Sequence, residues 1–161
     1  MNEKLRVLFE TQITKEMESA YLYLGMSKYF SEKGLKGFAT WFKKQAEEEM
    51  EHAHKFIDYL LDQEIEFDFT DVKYIKVDYT DLIGPFKKQL EHEKIVTSLI
   101  FDLYNKAVEV NDLFAQQFLV WFVNEQREEE ETAKELLDTM EFIGDEKMGV
   151  FELNKKLGKR E

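Results

Sequence analysis

The chain has 161 residues, 43% of them hydrophobic and 35% charged, a balance typical of a globular protein rather than a disordered one. It contains no cysteine, which excludes a disulfide framework, a thiolate metal site, an iron–sulfur cluster and a cysteine nucleophile. The net charge of −12 argues against direct nucleic-acid binding, and no apolar run approaches the roughly 18 residues of a membrane span.

Two long segments with a helical repeat of apolar residues come first, at about residues 5–31 and 36–62. Gly34 and Gly37 mark a short connection between them. Short connections join antiparallel neighbours in helical bundles. The first two segments therefore predict an antiparallel helix pair.

The next stretch, about residues 65–80, alternates apolar and polar side chains as a strand does. A hairpin or an edge strand is therefore the competing interpretation. A lone strand would have no partner in this chain. The length also suits a crossover that runs back along a bundle, and this is the interpretation we prefer.

Two further long segments follow, at about residues 81–110 and 111–142, again with a short link between them. Pro85 falls in the first turn of the third segment, where a helix tolerates proline best. A short piece at about residues 145–157 predicts a last helix. We expect a single all-α domain spanning residues 1–161: a four-helix bundle of two antiparallel pairs joined by a long crossover, plus a short C-terminal fifth helix.

Each long segment carries one glutamate on its apolar stripe near mid-length. These four residues are Glu16, Glu49, Glu93 and Glu129. An unpaired carboxylate is costly to bury, and antiparallel helices of similar length bring their midpoints to one level. The pattern predicts a polar site inside the bundle.

The second segment contains two overlapping Glu-x-x-His pairs. They are Glu49 with His52 and Glu51 with His54. An (i, i+3) spacing places both side chains of a pair on one helix face. Only Glu49 and His52 fall on the apolar stripe, so we expect the other pair to face outward.

Four carboxylates balance the charge of two divalent cations, and carboxylates with one imidazole suit iron or manganese better than a soft metal. Hard anionic oxygens favour the more oxidised ion, so iron(II) held there should oxidise easily. Two metals about 3.5–4 Å apart can share O2 or peroxide across their open positions. The negative net charge fits attraction of cations, although solubility alone explains it equally well.

Some neighbouring residues allow two interpretations. Tyr23, one turn from the predicted site, is either a redox-active tyrosine or hydrogen-bond donor, or an ordinary core residue. His92 lies off the stripe beside Glu93, and we expect it at the surface. Trp41 and Trp121 are expected in the core.

Three segments resemble the non-haem ferritins of bacteria and archaea. They are residues 45–52 (Gln-Ala-Glu-Glu-Glu-Met-Glu-His), 121–130 (Trp-Phe-Val-Asn-Glu-Gln-Arg-Glu-Glu-Glu) and 20–24 (Ala-Tyr-Leu-Tyr-Leu). The similarity extends over nearly the whole chain. It implies a ferritin-like four-helix bundle.

The resemblance also implies a set of metal ligands. Glu16, Glu49 and His52 would form a first iron site, with Glu49 bridging to the second. Glu93 and Glu129 would complete that second site, with Gln126 close by. An accessory third site would share Glu129 and add three more glutamates. These are Glu48, Glu125 and Glu128.

The activity implied is that of an iron-storage ferroxidase. Such proteins oxidise iron(II) with O2 or H2O2 and deposit the mineral inside a closed homo-oligomeric cage of about two dozen subunits. The alternative is a discrete di-iron oxidase or peroxidase, bacterioferritin-like or rubrerythrin-like, that stores nothing. The third-site glutamates favour storage.

Relatives of the second kind differ from this chain at specific positions. Bacterioferritins and rubrerythrins carry a second Glu-x-x-His, whereas residues 126–129 read Gln-Arg-Glu-Glu here. Met50 stands where bacterioferritins ligate haem, but ordinary ferritins often have methionine there too, so haem is not expected. The charged N-terminal residues have no apolar run behind them, so no signal peptide is predicted and a cytoplasmic location is expected.

Assembly into a cage requires apolar side chains on outward faces. The sequence offers six candidates, more than a monomeric bundle should expose. They are Leu22, Tyr29, Phe67, Phe69, Tyr74 and Tyr79.

Overall fold

The computed structural model describes every residue from 1 to 161, and its regular structure consists of five helices. These are α1 (Glu3–Glu32), α2 (Lys36–Asp62), α3 (Gly84–Glu109), α4 (Leu113–Ile143) and α5 (Lys147–Leu157). The bounds of α2 are those predicted. The start of α3 differs most, since Asp81 stays outside the helix and its Oδ1 accepts a hydrogen bond from the Gly84 N–H at 2.8 Å.

The helices pack as two pairs, α1 with α2 and α3 with α4, as the short connections predicted. Each link reverses the chain through one residue in the left-handed region. Gly34 (φ 76°) does so after α1, and Asn111 (φ 56°) after α3. Glycine and asparagine are the residues that adopt this conformation most readily.

The segment between α2 and α3 is a crossover and contains no strand. It runs alongside α1 from end to end. The Asp68 N–H donates to Glu10 Oε1 at 3.2 Å, and near the other end the Tyr29 hydroxyl donates to the Asp81 carbonyl at 2.9 Å. Hydrogen bonds to side chains of α1 thus fix the crossover. A strand would instead need a second strand to pair with.

Two apolar clusters fill the two ends of the bundle. One is rich in phenylalanine and includes Phe30, Phe42 and Phe86, while the other includes Phe9 and Phe56. In each long helix the residues of the two clusters are separated by about two to four turns, and the predicted glutamate lies in that gap. The glutamates therefore form a polar layer between two apolar halves.

The surface differs in part from the predictions. Phe69 and Tyr74 are exposed (65% and 51%), but the other four predicted surface residues are only half-exposed because they pack against the two apolar clusters. Trp121 is 42% exposed, so its assignment to the core was wrong. No helix has a stretch long and apolar enough to cross a membrane.

Candidate metal centre

The polar layer brings together one glutamate from each long helix and a single histidine. All five side chains are almost fully buried. Their exposed fractions are 1% for Glu16, 2% for Glu49, 4% for His52, 1% for Glu93 and 6% for Glu129. Glu51 and His54 are exposed. The helical repeat therefore predicted correctly which of the two Glu-x-x-His pairs is buried.

The first group consists of Glu16, Glu49 and His52. His52 Nδ1 lies 3.5 Å from Glu49 Oε2 and 3.7 Å from Glu16 Oε2. One ligand atom from each of the three residues lies within 4.8 Å of the other two. Glu16 Oε2 is buried without a hydrogen-bond donor, although Oε1 accepts from Gln12 Nε2 at 2.8 Å. A buried oxygen without a donor fits a site built for a cation.

A second group lies on the other side of the same imidazole. It comprises His52, Glu125 and Glu129, again with ligand atoms within 4.8 Å of one another. His52 Nε2 is 3.8 Å from Glu125 Oε1. The resemblance gave Glu125 to the accessory site only, so the approach of Glu125 to His52 was not predicted.

Glu93 is held by two donors. The Tyr23 hydroxyl donates to Glu93 Oε1, and Gln126 Nε2 donates to Glu93 Oε2 at 3.1 Å. Tyr23 is fully buried and its ring stacks on Phe42. It therefore serves both as a core residue and as a hydrogen-bond donor to a candidate ligand, and its redox activity stays a prediction.

The charges in this layer shift the pKa values of its members. Burial raises the pKa of Glu93 to about 7. Burial and the Glu93 charge raise the pKa of Glu129 to about 8 and that of Glu49 well above its ordinary value. Burial alone would lower the pKa of His52, but the neighbouring carboxylates of Glu16 and Glu49 raise it to about 11. Without cations the layer holds protons, and cations that bind would displace them.

Three glutamines were missed as parts of this site. Gln12, Gln45 and Gln89 each precede a candidate ligand by four residues, which places them one turn away on the same face. Gln45 Nε2 donates to Glu129 Oε2 at 2.7 Å, whereas both amide atoms of Gln89 are buried without a partner. The repeated Gln-x-x-x-Glu spacing was the signal in the sequence.

The accessory glutamates lie at the edge of the layer. Glu48 and Glu125 are half-buried and Glu128 is exposed, so this group is more open to solvent than the first. Burial and the charges of Glu128 and Glu48 raise the pKa of Glu125. The structure adds a partner that the sequence did not predict, because Arg160 Nη2 lies 2.7 Å from Glu48 Oε2.

His92 does not lie free at the surface as predicted. It is half-buried between α1 and α3, with Nε2 2.7 Å from the Ser19 hydroxyl and its ring edge-on to Tyr23. Burial lowers the pKa of His92 to about 4. The buried serine on α1 supplies the polar partner that makes this position acceptable.

Four long helices that each supply one carboxylate to a shared buried layer, with one imidazole among them, define the class of helical bundles with a carboxylate-rich core. The comparisons with known proteins identify the family within this class. The Ferritin-like domain model matches residues 8–143, and the chain belongs to the ferritin family. The predicted resemblance and the ferritin-like fold are both confirmed.

Relatives match over almost the full length. The chain is 37% identical over 160 residues to the bacterial non-heme ferritin of Bacteroides fragilis, covering 99% of each chain. It is 34% identical over 158 residues to a probable bacterial non-heme ferritin-like protein of Haemophilus influenzae, covering 98% and 96%. An open-pore ferritin from the archaeon Archaeoglobus fulgidus superposes with a TM-score of 0.98 at 34% identity, covering 100% of this chain and 98% of that one.

Proposed function

We propose that this protein is an iron-storage ferroxidase, a cytoplasmic enzyme that oxidises iron(II) to iron(III) and stores the product. The observation that carries the proposal is the buried layer of four carboxylates and one imidazole, in which Glu16 and Glu49 lie beside His52 Nδ1. A soft metal would prefer sulfur or more nitrogen ligands. The names of the relatives support the same substrate.

The ligands divide between two primary positions. Glu16, Glu49 and His52 hold the first iron(II), and Glu49 bridges to the second. Glu93 and Glu129 hold the second, with Gln126 and Tyr23 fixing the Glu93 carboxylate by the hydrogen bonds described above. Glu48, Glu125 and Glu128 form the accessory third site and share Glu129.

The electrons and protons of the proposed oxidation balance. Two iron(II) ions release two electrons, which with two protons reduce O2 to H2O2 or reduce H2O2 to two waters. The protons that iron displaces from Glu93, Glu129 and His52 leave a negative layer, which stabilises the more highly charged iron(III). The chain's own contribution is to place both ions in one buried, anionic site.

Storage requires a closed assembly of copies around a cavity, and we propose that residues 1–161 form the single domain from which it is built. The relatives named as ferritins support this, as do the exposed apolar side chains. A discrete di-iron oxidase without storage is the second candidate. It is favoured because the buried layer lies within a single chain, so the oxidation step does not require a cage. Molecular mass in solution separates the two.

The two Glu-x-x-His pairs supply a matched test of the site. Glu49→Gln removes one charge and the proposed bridge but keeps the shape, so rapid iron(II) oxidation should fall on the order of 100-fold. Glu51→Gln makes the same change two residues away on the exposed face, and its rate should equal that of the unmodified protein. Stopped-flow absorbance under oxygen measures both. Loss of activity in Glu51→Gln with retention in Glu49→Gln would overturn the assignment.

A further inference from the structure

Arg160, which follows α5, reaches back across the bundle to α2. Its Nη1 donates to the Trp41 carbonyl at 3.2 Å and to Gln45 Oε1 at 3.0 Å, and its Nη2 pairs with Glu48 Oε2 at 2.7 Å. The guanidinium also lies over the Trp41 ring, 4.1 Å from its centroid. The Arg160 side chain is only 16% exposed. Three donated bonds and a stacking contact fix its position.

The two side chains that Arg160 binds, Gln45 and Glu48, connect it to the candidate metal centre. The Gln45 amide accepts from Arg160 through its oxygen and donates through Nε2 to Glu129 Oε2 at 2.7 Å. One amide thus links Arg160 to a candidate ligand of the second iron. Through Glu48, Arg160 contacts a candidate ligand of the accessory site directly.

Glu48 lies at the edge of the buried layer, one helical turn before His52 on α2. The guanidinium that pairs with Glu48 also binds the Gln45 amide that donates to Glu129. Arg160 is the cation paired with Glu48. A metal ion and a guanidinium compete for the same carboxylate, because each gains by neutralising it.

We propose that Arg160 is a positioning residue that occupies Glu48 and weakens the accessory cation site. A third iron(II) has to displace the guanidinium from Glu48, whereas the two buried positions face no such competitor. The third ion is therefore held loosely and is free to move on. This inference rests on the proposed function, because it assigns Glu48 to a metal.

A purely structural role makes a different prediction. If Arg160 only fastened the residues after α5 to α2, its loss would lower stability and leave the affinity of the third ion unchanged or reduced. Competition for Glu48 predicts instead that loss of Arg160 raises the affinity of the third ion. Titration with iron(II) under strictly anaerobic conditions reads this out, since calorimetry counts bound ions and no oxidation occurs.

We expect Arg160→Gln to bind the third iron(II) about three- to tenfold more tightly, the range for loss of one partly exposed charge pair. The first two ions should bind as before. Lys159→Gln is the matched control, because it removes the same charge from the adjacent exposed residue, which forms no ion pair, and it should change nothing. Arg160→Lys keeps the charge but loses the planar fork, and it should tighten the third ion by about twofold.

Dependence on Glu48 gives the decisive comparison. In a Glu48→Gln background, Arg160→Gln should leave all iron(II) affinities unchanged. An unaltered third ion in Arg160→Gln, or an equal effect with and without Glu48, would overturn the inference while leaving the two-ion site intact. If Arg160→Gln failed to fold, an unchanged third ion in Arg160→Lys would overturn it instead. Absence of all iron(II) binding in the unmodified protein would overturn the proposed function and this inference together.

Discussion

At the scale of single residues, burying four carboxylates and an imidazole in one layer costs folding free energy unless something neutralises them. Protons do so in the metal-free protein, and cations would do so on binding. Glu16 Oε2 and the amide of Gln89 remain without partners even so. Unpaired polar atoms in a core lower stability, so they are retained where function requires them.

The metal-free protein should lose stability as the pH rises. The pKa of Glu93 rises from 4.5 to about 7 on folding, and that of Glu129 from 4.5 to about 8, chiefly through burial. The folded state therefore binds more protons than the unfolded state above pH about 5, and its free energy of unfolding falls up to pH about 8. His52, with a pKa raised from 6.5 to about 11, acts in the same direction above pH 6.5. We expect the melting temperature to drop by roughly 5 °C or more between pH 6 and 8.

A matched pair of variants checks the source of that slope. Glu129→Gln removes one proton-binding group from the layer, so the fall in melting temperature should be smaller. Glu131→Gln changes an exposed residue two positions along α4 and should keep the full slope. Thermal melts at several pH values, recorded after chelation of metals, provide the measurement. A slope that is equal in all three proteins would show that other groups cause it.

At the scale of helices, periodicity predicted nearly everything that faces the core. The four glutamates fall on the apolar stripes because a helix of 3.6 residues per turn has only one face to bury. The crossover was ambiguous in sequence, since its alternation suits a strand as well. Only the hydrogen bonds to α1, which join residues more than 50 positions apart, decide the matter.

Contacts between distant elements explain the remaining errors. His92 is off the stripe of its own helix, yet Ser19 on α1 gives it a buried partner. Trp121 was expected in the core, but its ring lies edge-on to His52 and under Lys55, and the residue is 42% exposed. Arg160 lies 112 positions from Glu48 in the chain. No local pattern encodes such pairings.

The junction of α2 and α5 permits a prediction at the scale of elements. Leu35 occupies the N-cap position of α2, but its side chain accepts no hydrogen bond from the helix. Instead, the Phe38 N–H in the first turn donates to Asn154 Oδ1 on α5 at 3.0 Å. A Cβ on Gly37 would lie 1.7 Å from the Asn154 carbonyl oxygen, which is backbone and cannot move alone. Gly37→Ala should therefore push α5 away from α2 at a cost of roughly 1–3 kcal/mol.

Melting and proteolysis test that prediction together. Gly37→Ala should lower the melting temperature and expose α5 to faster cleavage by trypsin at its lysines. Lys36→Ala, at the neighbouring exposed position, should do neither. An unchanged melting temperature in Gly37→Ala would mean that α5 does not approach α2 this closely.

At the scale of the whole molecule, the first helix pair and the adjoining crossover share an apolar outer face. Tyr21, Leu24 and Tyr74 are each close to half exposed, and a groove of about 460 Å³ beside them is lined by further apolar residues, among them Met17 and Met50. Association with other copies would remove this surface from water. The charge of −12 on each chain opposes association, and salt screens that repulsion.

We expect a closed assembly of about two dozen 19.3-kDa chains at moderate salt, near half a megadalton by light scattering. Leu24→Glu places a charge on the apolar outer face and should reduce the mass to that of small species. It should preserve the fold and anaerobic iron(II) binding, because the buried layer lies inside each chain. Ser98→Glu adds the same charge at an exposed polar position on α3 and should leave the assembly intact. A monomer or dimer in the unmodified protein would contradict storage, and the discrete di-iron oxidase would then be the better account of the same buried site.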